Sequence, residues 1–251
     1  MLYRGSRKHV LDWTGRPSFL EDLAALLAPV PIAFPADALF MPRGVDSPDE
    51  ARLERFGPQL IDDGSLWTDL EDWWLCHKAG ANTPNWDVAA GCMLEGVPGI
   101  LLVEAKANWP ELGTGGKLLS SDSSARSRDN HERIGAAIDE ASRGWQSVGA
   151  DVSITRDTHY QLANRLAFTW RLASLGIPTV LLYLGFTGDA GIGDAGAPFV
   201  DDDDWQRAFA EYARDAWPVE LLGRRLDVEG TPAWVVSRSR PVLEHSPARS
   251  S

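Results

Sequence analysis

The chain has little of what builds covalent or metal-caged scaffolds. Cys76 and Cys92 are its only cysteines, and histidine occurs five times. Two thiols make no disulfide framework, and no two histidines lie at a metal-ligand spacing, so a four-ligand zinc site is excluded. Long hydrophobic runs are missing as well. The longest, GILLV and TVLLYLGF, are strand-sized and far short of a membrane span. The N-terminal MLYRGSRKHVLDW is basic but lacks the apolar stretch of a signal peptide. The expectation is a cytoplasmic protein with no membrane partner.

Positive charge is scarce too. Twenty-four basic side chains face 36 acidic ones, for a net charge of −12. The acidity sits in two blocks, residues 37–72 and 187–229, each carrying a net −7. Proteins that track long stretches of duplex usually show a basic face. This chain advertises none, which leaves room for a local nucleic-acid contact. It also points towards a homo-oligomer or protein partner that supplies further basic contacts.

What remains is ordinary globular material of 251 residues, 44% hydrophobic, suited to one large domain or one domain with an appendage. Residues 17–28 read as a helix between prolines, and 29–48 as an extended, proline-rich connector. A helical stripe covers 66–78, and NTPNWDVAAGCML and GILLVEAKAN flank a turn at EGVPG as a hairpin. Residues 110–128 read as a loop, 129–147 and 159–175 as helices, and IPTVLLYLGF as a strand buried on both faces. A loop over 187–204, a helix from Trp205 and a last strand at PAWVVSRS complete the order. The expected class is α/β (α+β), a mixed β-sheet flanked by helices. Residues 1–65 form an N-terminal extension packed on a core domain, 66–251, which holds an insert at 108–157.

The chemistry concentrates in the hairpin. Glu104 and Lys106 are two apart at the end of an apolar strand, so they share a face. Burying a carboxylate and an ammonium there is costly unless they are paired or used. Lysine occurs only four times, against twenty arginines, so composition alone gives well under one E-x-K triplet. A two-residue turn at Glu95-Gly96 puts Asp87 opposite Glu104, and a four-residue loop puts it opposite Lys106. Both keep Asp87 on the face of Glu104; a three-residue loop breaks the parity unless a bulge restores it.

An acid on one core strand and E-x-K on the next resembles the PD-(D/E)xK nuclease superfamily, with its restriction-endonuclease-like core. Trp86 rather than proline precedes the acid, with Pro84 nearby. The resemblance spans roughly residues 66–186. It implies catalytic Asp87, Glu104 and Lys106, with Gln161 on the following helix, and a metal site of Asp87, Glu104 and Glu71 from the preceding helix. The implied cofactor is Mg²⁺, with Mn²⁺ substituting, and the implied activity is hydrolysis of phosphodiester bonds in nucleic acid, DNA foremost. Two carboxylates suit a hard divalent cation, which stabilises transition-state charge and acidifies an attacking water. Three acids around Lys106 alone would leave excess negative charge for that ion to neutralise. Arg126, Arg128 and Arg133 are candidate phosphate contacts, and Trp109 a base-stacking ring.

Blander readings stand beside these. Glu104–Lys106 can be a structural ion pair, Glu71 a solvated helix residue and Gln161 a buried amide satisfying the backbone. The Asp201–Asp204 run suits a helix N-terminus, where negative charge is favoured. The main alternative to a nuclease is a non-catalytic member of the same fold that binds nucleic acid or protein. An unrelated α/β protein with an accidental triplet is the third.

Overall fold

The computed structural model describes residues 3–189 and 196–242. Two helices, α1 (Gly5–Thr14) and α2 (Phe19–Leu27), lead into three two-residue strands, β1 (Ile32–Ala33), β2 (Phe40–Met41) and β3 (Ala51–Arg52). Helices α3 (Leu53–Leu60) and α4 (Gly64–Trp74) precede β4 (Asn85–Trp86), β5 (Val88–Leu94) and β6 (Val97–Lys106). Then come α5 (Ala125–Ser147), α6 (Tyr160–Ser174), β7 (Thr179–Thr187), α7 (Asp202–Ala213), β8 (Leu226–Val228) and β9 (Thr231–Pro241).

The sheet runs β1-β5-β6-β7-β9-β8, with β2 also on the outer edge of β5. Its centre, β6-β7-β9, is parallel, while β5 and β8 run antiparallel to their neighbours. Glu95 and Gly96 form the hairpin turn, with φ of 50° and 81°. Two left-handed residues match the turn to the right-handed twist of the strands. Leu94 therefore pairs with Val97, and an unbroken register runs to Val88–Val103. Of the loop lengths open from sequence, this is the two-residue one.

Alternation along the strands feeds two cores. Ile100, Leu102, Leu181 and Tyr183 face α4, α5, α6 and α7. Leu101, Val103, Val180 and Leu182 face the other way, against Val10 and Trp13 of α1 and Leu23 of α2. Helices thus cover both faces of a mixed sheet, the arrangement that makes β7 apolar throughout.

Several local expectations change. The connector at 29–48 contains β1 and β2, which pair with β5. Helix α4 stops at Trp74, and its N-terminus is capped by Asp63, which accepts from Ser65 and Leu66 N–H. Ser124 caps α5 and starts it at Ala125, before the expected 129. Within the 108–157 segment, α5 packs along α6 and buries Ile134, Ile138 and Trp145. Asp201 caps α7 by accepting from Asp204 N–H, so the aspartate run is a helix start. Residues 190–195 of the 187–204 loop lie outside the described residues. Among the described residues no helix is long and apolar enough to cross a membrane.

Candidate functional site

Parity places the E-x-K pair. Glu104 and Lys106 share the face of Ile100 and Leu102, so both point under the helices, 2% and 5% exposed. Asp87 stands in a bend one residue before β5, just past the last β5–β6 pair, Val88–Val103. Its Oδ2 accepts the Ala105 N–H at 2.8 Å, which ties it to the backbone between Glu104 and Lys106.

The carboxylate of Glu104 is held at both oxygens. Lys106 Nζ donates to Oε1 at 2.6 Å, and Arg165 Nε donates to Oε2 at 2.7 Å. Lys106 Nζ also donates to Gln161 Oε1 at 2.7 Å. Gln161 and Arg165 are one turn apart on α6, so one helix face grips both ends of the triplet. Arg165 itself is fixed by Asn85 O at 2.6 Å and Asn164 Oδ1 at 2.9 Å, and stacks 4.4 Å from the Trp86 ring centre.

Electrostatics separates the two acids. Burial pushes Asp87 up, the Glu104 charge adds to this, and its carboxyl reaches about 7 despite Lys106 and Arg165. Burial also works against ionised Glu104, but Arg165 and Lys106 outweigh it and hold the group below the usual glutamate range. Neighbouring carboxyls pushed apart in this way are candidates for distinct acid and base roles.

The remaining expected residues lie elsewhere. Glu71 pairs with Lys78 at 3.0 Å and does not line the cavity at Asp87 and Glu104. Arg133 donates to Asp72 O at 2.8 Å, Arg128 donates to Ser123 O, and Arg126 is exposed in the first turn of α5. None of the three lines the cavity. Trp109 packs against Phe199, with ring centres 6.3 Å apart, so its face is engaged in the fold. Sequence reasoning missed Arg165, whose place four residues after Gln161 was the available signal. It also missed Lys117 and Arg52, because their positions depend on loop paths.

The cluster floors an open cleft of about 530 Å³. Asp87, Glu104, Gln161 and Arg165 lie along it, with Lys117 and Arg52 on its walls. Lys117 Nζ sits over the Tyr160 ring at 4.8 Å, and burial lowers its pKa. Among the described residues no three His, Cys, Asp or Glu side chains gather into a metal cage. Asp87 and Glu104 supply hard oxygen donors to the cleft, and the amide oxygen of Gln161 is a third. Burial and the Glu104 charge make an ionised Asp87 costly despite Lys106 and Arg165, a cost that a divalent ion at its oxygens would offset. The expected charge excess is smaller than three acids around one lysine, because Arg165 adds a cation and Glu71 stands apart. Comparison with family models, with curated proteins and with solved structures gives no match to this chain.

Proposed function

We propose that the protein is a metal-dependent phosphodiesterase acting on nucleic acid, with DNA as the expected polymer. The observation that carries this reading is the meeting of Asp87, Glu104 and Gln161 at one open cleft, with the buried Lys106 ammonium bonded to both Glu104 and Gln161. The order α4, β5–β6, α6, β7 agrees with the resemblance to the PD-(D/E)xK superfamily. Asp87 and Glu104 would hold Mg²⁺ or Mn²⁺, with Gln161 at its margin. When bound, such an ion stabilises negative charge on the transferring phosphoryl group and lowers the pKa of water.

The chain's own groups divide the remaining work. An ammonium has three donors; two of those on Lys106 are directed by Glu104 and Gln161. The third is left for an attacking water or a phosphate oxygen. Arg165 fixes the rotamer of Glu104 and limits its freedom to move. Asp87, whose carboxyl is raised to about 7 without an ion, would have to give up its proton to hold one.

A second reading rests on the same Arg165. Glu104 already has two cationic partners, as a structural brace in a non-catalytic nucleic-acid- or protein-binding protein would. Cleavage assays separate the two. Purified wild type is incubated with plasmid, single-stranded DNA and RNA in Mg²⁺, Mn²⁺ or chelator, beside Asp87→Asn and Lys106→Met. The nuclease reading expects metal-dependent cutting that both variants lose. Cutting by both variants at the wild-type rate, or no cutting of any substrate, overturns it.

A further inference from the structure

A second cavity of about 420 Å³ adjoins the cleft, and the two share Glu50, Arg52 and Asn85 as a common wall. Arg7, Arg52 and Arg55 line this second cavity, opposed by Asp49 and Glu50. The location is notable for its charge. Residues 37–72 hold ten acids and only Arg43, Arg52 and Arg55 as bases, yet two of those three bases face this groove.

Two of the three arginine charges are also poorly neutralised. Arg52 donates to two neutral amide oxygens, Asn85 Oδ1 at 2.8 Å and Asn82 Oδ1 at 3.0 Å. Arg55 is exposed, and it makes no ion pair among the described residues. Arg7 is the exception: its Nη1 pairs with Glu50 Oε1 at 3.3 Å and its Nη2 donates to Pro48 O. Guanidinium groups held in this state suit phosphate oxygens, which they recognise as planar forks. Lys117, which also lines the cleft, adds a cation with no carboxylate partner among the described residues. Lys117 and Arg52 thus line the cleft that holds the acid cluster, and Arg52 and Arg55 line the cavity that adjoins it, within a strongly acidic chain.

We infer that the two adjoining cavities are the track of one nucleic-acid strand, with Arg52 and Arg55 holding phosphates beyond the one at Asp87 and Glu104. The inference rests on the nuclease reading and adds its substrate class, a single strand or single-stranded end. A duplex would lay a second phosphate backbone against a surface whose net charge is −12, without a basic face to receive it.

The test is fluorescence anisotropy of a labelled single-stranded oligonucleotide and its duplex, in Ca²⁺, across a salt series. Arg55→Ala is the main variant, Arg55→Lys the charge-conserving one, and exposed Arg224→Ala the control. Wild type should bind the single strand more tightly than the duplex. Arg55→Ala should weaken that binding severalfold and flatten the slope of log affinity against log salt by about 0.7, one phosphate contact. Arg55→Lys should recover the slope, and Arg224→Ala should match wild type. Equal binding by Arg55→Ala and Arg224→Ala, or tighter binding of duplex, overturns the track while metal-dependent cutting by wild type upholds the nuclease reading. Absence of both binding and cutting overturns the two together.

Discussion

Asp87 is tied to the backbone beside Glu104, yet burial ends differently for each, because cations grip one directly and not the other. Two side chains grip Glu104 directly, whereas Asp87 has a backbone N–H and more distant charge. The consequence for stability follows from linkage. A carboxyl raised to about 7 in the folded state holds a proton that the unfolded chain gives up near 3.8. Folding is therefore unpenalised below about pH 4 and loses stability as pH rises to 7, by an upper bound on the order of 4 kcal/mol. Asp87→Asn keeps an acceptor for Ala105 N–H and removes this penalty. In chelator its melting temperature should equal that of wild type near pH 4 and exceed it progressively towards pH 8; a constant difference would show that Asp87 does not titrate there. Arg165 carries the opposite expectation. Arg165→Met leaves one oxygen of Glu104 buried and unpaired, a loss of about 3–5 kcal/mol. Arg165→Lys should recover only part of it, since an ammonium cannot reproduce the fork to Glu104, Asn85 and Asn164. Denaturant melts of the two variants measure both. Asp87, Glu104 and Lys106 were legible as one cluster because strand parity puts them on one face, whereas Gln161 was suggested only by the family resemblance. Arg165 sat one helical turn further on, among the apolar residues of LANRLAF, but a core position hid its charge. Lys117 and Arg52 were not legible, since loop paths carry no periodicity.

The hairpin and α6 are the elements that build the site, and two glycines test how. Gly96 has φ of 81° and open space where a Cβ would go, so its requirement is conformational alone. Gly96→Ala should cost about 1–2 kcal/mol without moving Asp87 from Glu104, because the long register holds the pairing. A larger loss, together with altered metal response, would mean that the turn itself sets the register. Gly144 is the contrary case. It lies inside α5, where alanine would gain roughly 1 kcal/mol in helix propensity, yet an added Cβ would lie 2.0 Å from Trp170 Nε1. Overpacking of this kind costs on the order of 1–3 kcal/mol, so Gly144→Ala should lower the denaturation midpoint despite the better helix former. A raised midpoint would mean that α5 and α6 can separate without penalty. The long elements, α5, α6, β5, β6 and β7, were readable from period and apolar runs. The short strands were not: β1, β2 and β3 have two residues each and exist through pairing partners rather than local pattern. Helix α1 was missed because its buried Val10 and Trp13 are interleaved with Arg7, Lys8 and Asp12.

At the scale of the molecule, a net charge of −12 and a cleft lined by three carboxylates, Glu50, Asp87 and Glu104, make divalent ions a general as well as a specific influence. A cation bound at Asp87 and Glu104 in the folded state alone stabilises it by mass action, about 2.7 kcal/mol at a hundredfold excess over Kd. For a chain of this size that is roughly 5–10 °C in melting temperature. Screening of the two acidic blocks by the same ion would raise stability too, and the aspartates at the start of α7 offer another place to bind. Proton competition distinguishes these sources. A metal at Asp87 must displace the proton held there up to about pH 7, so the Mn²⁺-dependent shift should be small at pH 6 and larger at pH 8. Ion binding at ordinary exposed aspartates changes little over that range, since they are ionised throughout. Asp87→Asn should lose most of the pH-8 shift while keeping whatever part comes from screening. The measurement is a set of melting curves for the two proteins at pH 6 and pH 8, with chelator or millimolar Mn²⁺, repeated with Ca²⁺. Calcium should stabilise wild type without supporting cleavage. Equal Mn²⁺ shifts in wild type and Asp87→Asn at both pH values would place the ion outside the cleft and leave Glu104 to Arg165 and Lys106 alone.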